Sequence, residues 1–238
     1  MKRLLILTAV LASFTVNGQR IKSKHNISIG YSTAPTYSFR TLKNNDGSSS
    51  SDIVIDARNN NEVAKFGYRT GINFLFNVSG SIRFETGIVF TNKGYKTKKL
   101  DLTFIPPDPS LPATAKSVFS FQYIGIPLIA RFITGKNKLR FISSVGLTTN
   151  FLLSVKQNTK YEYADGRTDR SNQSSTSGFK KVDISPSIGA GIDYKLNNKI
   201  CLVAEPMFEY GIVKTRDTPV SEHLWNAGIN IGFYYGLK

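Results

Sequence analysis

The sequence predicts an all-β fold, an eight-stranded antiparallel up-and-down transmembrane β-barrel, and three observations predict it. The last stretch, Leu224 to Leu237, alternates an unbroken apolar row (Trp225, Ala227, Ile229, Ile231, Phe233, Tyr235, Leu237) with a mostly small and polar one (Asn226, Gly228, Asn230, Gly232, Tyr234, Gly236). Successive strand residues point to opposite faces, so this is a ribbon with one oily and one polar side. Its apolar row covers about 40 Å of strand, and a tilted strand crosses a bilayer core in about 9–11 residues. Seven earlier segments repeat the alternation, joined by connections that run long, short, long, short, long, short, long. In each of them the charged residues share a face with the glycines, whereas a soluble barrel turns its apolar face inward.

The chain opens Met1-Lys2-Arg3 and continues through an apolar run, Leu4–Val16, with Val16 and Gly18 as small residues before Gln19. This is the pattern of a cleaved signal peptide over residues 1–18, leaving 19–238 as one outer-membrane barrel domain. The apolar run has 13 residues, short of the ~20 that a spanning helix needs. Membrane residence must then come through strands, because only helices and closed barrels satisfy their backbone in lipid. The sole cysteine, Cys201, offers no disulfide framework and lies far from the signal. The formal net charge is +15. Export argues against nucleic acid as the partner of that charge and for outer-membrane lipid with its anionic headgroups, or acidic surface polymers.

Taken in order, the first strand sets Ile27, Ile29 and Tyr31 against Asn26, Ser28 and Gly30, with a bulge or bend expected at Pro35. Leu42–Asn61, rich in Ser and Asn, reads as a long loop. The second strand sets Phe66, Tyr68, Thr70, Ile72, Phe74 and Phe76 against Lys65, Gly67, Arg69, Gly71 and Asn73. A turn at Asn77–Gly80 leads to the third, with Ile82, Phe84, Thr86, Ile88 and Phe90 against Arg83, Glu85 and Gly87. Lys93–Lys116 is a second long connection. The fourth strand turns Ile124, Ile126, Leu128, Ala130 and Phe132 outward and Tyr123, Gly125, Pro127 and Arg131 inward. The fifth does the same with Leu139, Phe141, Val145, Leu147 and Phe151 against Arg140, Ser144, Gly146, Thr148 and Asn150. A third loop, Lys156–Lys180, precedes the sixth strand, where Ile184, Ile188, Ala190, Ile192 and Tyr194 oppose Asp183, Ser185, Ser187, Gly189, Gly191 and Asp193. The seventh opposes Ile200, Leu202, Ala204, Phe208 and Tyr210 to Val203, Glu205, Met207 and Glu209, and Lys214–Glu222 reaches the last. Pro35, Pro127, Pro186 and Pro206 are the positions where a bulge would shift the register.

Tight turns at one end and long loops at the other are the organisation of an outer-membrane barrel. Ile188, Ile192, Ile229, Ile231, Phe233 and Tyr235 are then lipid-facing. Outward aromatics fall at two levels, Trp225, Tyr68 and Tyr210 near the loop end and Tyr194 near the turn end, as interface girdles do. Inside lies a cluster of charges: Arg69, Arg83, Glu85, Arg131, Arg140, Asp183, Asp193, Glu205 and Glu209. An eight-stranded interior is just wide enough for side chains to fill, so these charges predict a salt-bridged plug, with Glu205 and Glu209 facing Arg69, Arg83, Arg131 and Arg140 across the lumen. The rival is a narrow channel for ions or small solutes. His25 and His223 fall at opposite ends of neighbouring strands, and no catalytic triad, metal-ligand spacing or cofactor motif is present.

Tyr123–Leu128, Ser187–Tyr194 and Phe208–Ile212, followed by the alternating final strand, resemble the small porin-like outer-membrane β-barrel domain family common in Bacteroidetes. The resemblance covers nearly the whole mature chain and implies the barrel but not an activity; the reading is a structural or surface-interaction protein with no chemistry of its own, and the alternatives are a narrow porin-like channel for ions or small solutes or the membrane component of a secretion complex with its own partner. The ending, with Asn230, Gly232, Tyr235 and Leu237, is similar to the signal read by the barrel-assembly machinery, although it finishes in Leu237 and Lys238 rather than an aromatic residue.

Overall fold

A computed structural model describes residues 27–237. The expected signal peptide and His25 lie outside the described residues. The chain forms β1 (Ile27–Asn44), α1 (Ser49–Asn61), β2 (Glu62–Asn77), β3 (Ile82–Thr97), β4 (Leu100–Asp101), β5 (Thr114–Thr134), β6 (Leu139–Glu162), β7 (Thr168–Ser175), β8 (Val182–Lys195), β9 (Ile200–Tyr210) and β10 (Val220–Gly236). Eight of the strands close a ring in the order β1-β2-β3-β5-β6-β8-β9-β10, because β1 pairs with β10 as well as with β2 and every contact is antiparallel. The short strands β4 and β7 stand outside the ring, on the projecting ends of β5 and β6. No described helix is long and apolar enough to cross a membrane; crossing is by strands.

The period of two governs which face each residue takes. Ile188 is 62 % exposed while its cross-strand neighbours' inward residue Glu209 is 3 % exposed. Ile192, Ile229, Ile231, Phe233 and Tyr235 point to the same exposed outer face, as do Tyr68 and Tyr194. Trp225 is wedged edge-on to Phe39 at 6.2 Å and against Phe208 at 5.9 Å. From Trp225 to Tyr235 is about 33 Å of strand, which a tilt of ~40° reduces to about 25 Å, the height of the apolar band of such barrels.

None of the four prolines shifts a register. The β1–β10 ladder skips Ala34 and Pro35 but keeps one phase from Thr33↔Ile231 to Thr36↔Gly228, so Pro35 brings no shift of register. Pro35 is exposed and Pro127 buried, and the ladders through Pro127, Pro186 and Pro206 stay in phase. The missing N–H is tolerated because the flanking pairs hold the strand. The irregularities fall instead between Ala64 and Tyr68 on β2 and beside Tyr123 on β5. At the first of them a Cβ on Gly67 would stand 2.2 Å from the Asn92 carbonyl oxygen, so the close approach requires glycine.

The long connections are more ordered than their composition suggests. Leu42–Asn61 is the end of β1 followed by the 13-residue helix α1. Its N-cap, Ser48, has extended backbone and its Oγ accepts from Ser51 N at 3.2 Å; Asp52 lies in the first turn and Arg58 in the last, as the helix dipole favours. The helix buries only Ser51, so there was no apolar stripe in the sequence to reveal it. Lys93–Lys116 is strand at its two ends, since β3 runs to Thr97 and β5 starts at Thr114, with the two-residue β4 between them. Lys156–Lys180 contains the β6–β7 hairpin, and in Lys214–Glu222 the last strand already begins at Val220.

Replacing Ile188 by arginine near the middle of the lipid band should lower barrel stability by about 2–4 kcal/mol. Urea titration in lipid vesicles measures it, with Asn158→Arg on the projecting strand as the comparison. Equal tolerance of the two would mean that Ile188 does not face lipid.

Candidate functional site in the lumen and its mouth

The inward residues of the ring form layers. At the turn end Asp193 is fully buried and accepts hydrogen bonds from Arg83 Nη1 at 2.6 Å and from Arg140 Nη2 at 2.5 Å and Nε at 3.2 Å. Beside it pack Leu75, Ile133, Ile142, Val203 and Tyr234, with Cys201 against them as a small filler. Tyr234 lies flat because glycines make room for its ring: a Cβ on Gly30 would stand 2.3 Å, and one on Gly232 2.5 Å, from its carbon atoms. Its hydroxyl donates to Glu85 Oε2 at 3.1 Å.

In the next layer Arg131 bridges two carboxylates, Glu85 at 2.7 Å and Glu205 at 3.4 Å, and Ser144 donates to Glu205. Above that, Arg69 and Glu209 approach to 3.6 Å and Asn226 donates to Glu209 at 3.1 Å. Higher still Lys93 donates to Asp183 at 2.8 Å and lies over the Tyr123 ring at 4.9 Å. Five cations thus meet five carboxylates (Arg69, Arg83, Lys93, Arg131 and Arg140 with Glu85, Asp183, Asp193, Glu205 and Glu209), and the stack is neutral. Burial of an unpaired ion is prohibitive; here each ion has an opposite.

The pairing differs from the sequence expectation in one respect. Glu205 and Glu209 face only Arg131 and Arg69, whereas Arg83 and Arg140 both turn to Asp193. The partner is set by the level at which each residue crosses the ring, and Arg140 stands directly opposite Asp193 in the β6–β8 ladder. Lys93 was not in the expected cluster because its segment reads as loop. The signal was present: Thr91, Lys93 and Tyr95 continue the inward parity of Glu85. Lys65 finds no carboxylate and donates to Asn92 at 2.7 Å and Ser120 at 2.8 Å.

An aromatic layer of Tyr95, Phe121 and Tyr123 with Val155 and Leu224 closes the top of the stack. Over it opens a cup of about 620 Å³ between α1, the upper ends of β5 and β6, and the segment before β10. Phe119, Phe121, Phe179 and Tyr95 form its apolar walls. Arg58 ties the rim together, bonded to Glu62 at 2.7 Å, Glu222 at 2.6 Å and the Tyr95 hydroxyl at 3.0 Å. Burial works to lower the pKa of the Arg58 guanidinium, but its bonds to Glu62 and Glu222 outweigh it and hold the pKa above its ordinary value. Arg216 lies over the Phe179 ring at 3.6 Å with its charge facing the cup.

His223 stacks on Tyr210 and lies 3.1 Å from the Gly211 carbonyl oxygen. Among the described residues no three His, Cys, Asp or Glu side chains gather so as to hold a metal ion. On the β6–β7 hairpin, hydrogen bonds from Lys160 and Lys99 pull the Glu162 carboxyl down to about 2.

Strands closed in a ring, lipid-facing outside and ion-paired inside, define an outer-membrane β-barrel. The chain belongs to the outer membrane protein beta-barrel domain family, which matches residues 16–217, and its place is the bacterial outer membrane. No curated protein matches it. Among solved structures it is similar to Neisserial surface protein A, with 13 % identity, a TM-score of 0.43, and coverage of 87 % of this chain and 96 % of that one. OprG from Pseudomonas aeruginosa gives 11 %, 0.45, 90 % and 98 %. The outer membrane protease OmpT from Escherichia coli gives 8 %, 0.45, 91 % and 98 %.

Two outcomes are expected. Asp193→Asn leaves Arg83 and Arg140 without their counter-charge and should cost about 3–5 kcal/mol, the price of breaking a buried pair, read as a fall in unfolding midpoint in detergent micelles; no change would mean the pair is solvated. Because the folded Glu162 value is depressed, what this carboxylate contributes is present above its ordinary pKa and lost as pH falls through about 2. NMR should find its midpoint there, and Lys160→Gln should move it back toward 4.5; an unmoved midpoint would show that Lys160 is not its partner.

Proposed function

We propose that the protein is a non-conducting surface protein of the outer membrane, whose barrel is a closed scaffold and whose binding takes place at its extracellular end. The observation that carries this reading is the unbroken ion-pair stack from Asp193 to Lys93 under the aromatic layer. Two voids beside it are small. One touches Arg69, Arg131 and Glu205, another Tyr123, Asp183 and Leu224, and each measures about 10 Å³. That is at most the room of a single water, not a passage. The cup above falls in the range of small-molecule sites, about 300–1,000 Å³. It offers aromatic faces and the Arg216 charge to a ligand arriving from outside, and the reading gives the chain no chemistry of its own.

In a planar bilayer the intact barrel should show no sustained conductance. The double change Glu205→Gln with Glu209→Gln, which strips Arg69 of its counter-charge and Arg131 of one of its two, should destabilise the barrel and raise leakage. A steady open channel in the unmodified protein would overturn the closed reading in favour of a narrow solute channel. Short turns of such barrels face the periplasm, so protease added to intact cells should cut the hairpin tip at Tyr163–Arg167 and spare Leu196–Lys199. Cutting at Asn197-Asn198 would invert the orientation.

A further inference from the structure

The lumen stack is neutral, so the +15 of the chain resides elsewhere. Part of it is concentrated on one face. Residues directly opposed in an antiparallel ladder share a face, and above the membrane β5, β6 and β7 bring Lys116 opposite Lys160 and Lys160 opposite Arg170. Like charges in direct opposition destabilise a sheet, so a three-strand row of cations calls for an anion. Lys156, opposite Ser120 and Ser174, and Lys96, opposite Val118, lie on the same face. The opposite face of β5 and β6 is the buried one, carrying Phe121, Val155 and Thr159. The acids on the basic face, Glu162 and Asp101, stand at its distal edge, and Glu162 is already held by Lys160 and Lys99. Among the described residues no carboxylate pairs with Lys96, Lys116, Lys156 or Arg170.

This face continues the lipid-facing one. Along β5 the outward row Leu128, Ile126, Ile124 passes into Gln122, Ser120, Val118 and Lys116 with no change of parity. From Ile124 to Ser120 and its partner Lys156 is about 13 Å of strand, and to Lys116 about 26 Å, or about 10 and 20 Å of height at a tilt of ~40°. The headgroup layer of a simple phospholipid adds only about 5–8 Å on each side of the hydrocarbon. Its phosphates do not reach the Lys116 row, whereas phosphates carried on a saccharide headgroup do. We propose that the outer face of β5–β6–β7 binds the phosphorylated saccharide of a glycolipid in the outer leaflet, with Lys156 nearest the membrane and Lys116, Lys160 and Arg170 at the level of the sugar phosphates. This rests on the long loops facing outward, and it is independent of whether the lumen conducts.

The test uses the full barrel in mixed vesicles containing a phosphorylated lipopolysaccharide lacking its O-chain, the same lipid after phosphatase treatment, or phosphatidylglycerol at equal charge, with retained lipid counted by native mass spectrometry. The unmodified barrel should retain the phosphorylated glycolipid and not the other two. The triple change Lys116→Gln, Lys160→Gln and Arg170→Gln should weaken retention about a hundredfold, as loss of three surface cations implies. Lys138→Gln with Lys199→Gln at the turn end should leave it unchanged. The heat-dependent gel shift of a closed barrel shows that each variant is folded, and the bilayer recording shows separately whether the lumen stays shut. Equal retention of the dephosphorylated lipid or of phosphatidylglycerol would overturn the proposal, as would unchanged retention by the folded triple variant. A soluble sulfated polysaccharide that binds the unmodified barrel in preference to the glycolipid would overturn it as well.

Discussion

The structure depends on charge neutrality inside a ring too narrow for bulk water. Lipid outside obliges the strands to close, because an open edge would leave backbone groups unsatisfied in hydrocarbon. Closing eight strands leaves an interior about as wide as the side chains that line it. Polar residues must take that inner face, since the outer one is given to lipid, and ions among them persist only with partners. Asp193 between two arginines and Arg131 between two glutamates are the outcome. Each bond joins strands distant in sequence, so the same pairs that neutralise the lumen also brace the ring.

The upper end follows different physics. Beyond the lipid band the strands continue into water, and the aromatic layer of Tyr95, Phe121 and Tyr123 covers the ion pairs from above. The helix α1 has little apolar surface to bury and is held by polar ties, the Ser48 cap and the bonds of Arg58 to Glu62 and Glu222. The cup is therefore an opening framed by charges on an aromatic floor. On the outer wall, by contrast, cations face cations across three strands, with Glu162 bonded to Lys160 at the distal edge.

Much of this was legible in the sequence for one reason: strand periodicity is local. The alternation from Trp225 to Leu237, and the shared parity of Arg69 with Gly67 or Glu205 with Val203, assign each residue to lipid or lumen without knowledge of its neighbours. The alternation of short turns with long connections adds the even strand number and the up-and-down order. Prolines were poor guides, because Pro35 and Pro206 sit on the exposed face and Pro127 on the inner one while the flanking pairs hold the register regardless.

What the tertiary structure alone decided concerns height and partnership. The upper ends of β3 and β6, β5 above Phe119 and all of α1 carry polar residues on both faces, so no apolar period marks them, and only pairing with neighbouring strands extends the strands above the membrane. The choice of Asp193 by both Arg83 and Arg140, and of Asp183 by Lys93, depends on how far each strand is staggered around the ring, a quantity fixed by closure and not by any one segment. The cation row of Lys116, Lys160 and Arg170 is likewise invisible along the chain, where 44 and 10 positions separate its members, and appears only once the ladders bring them side by side. By itself the sequence determined which way every side chain of the band points, because that is set two residues at a time; closure decided whom each one meets.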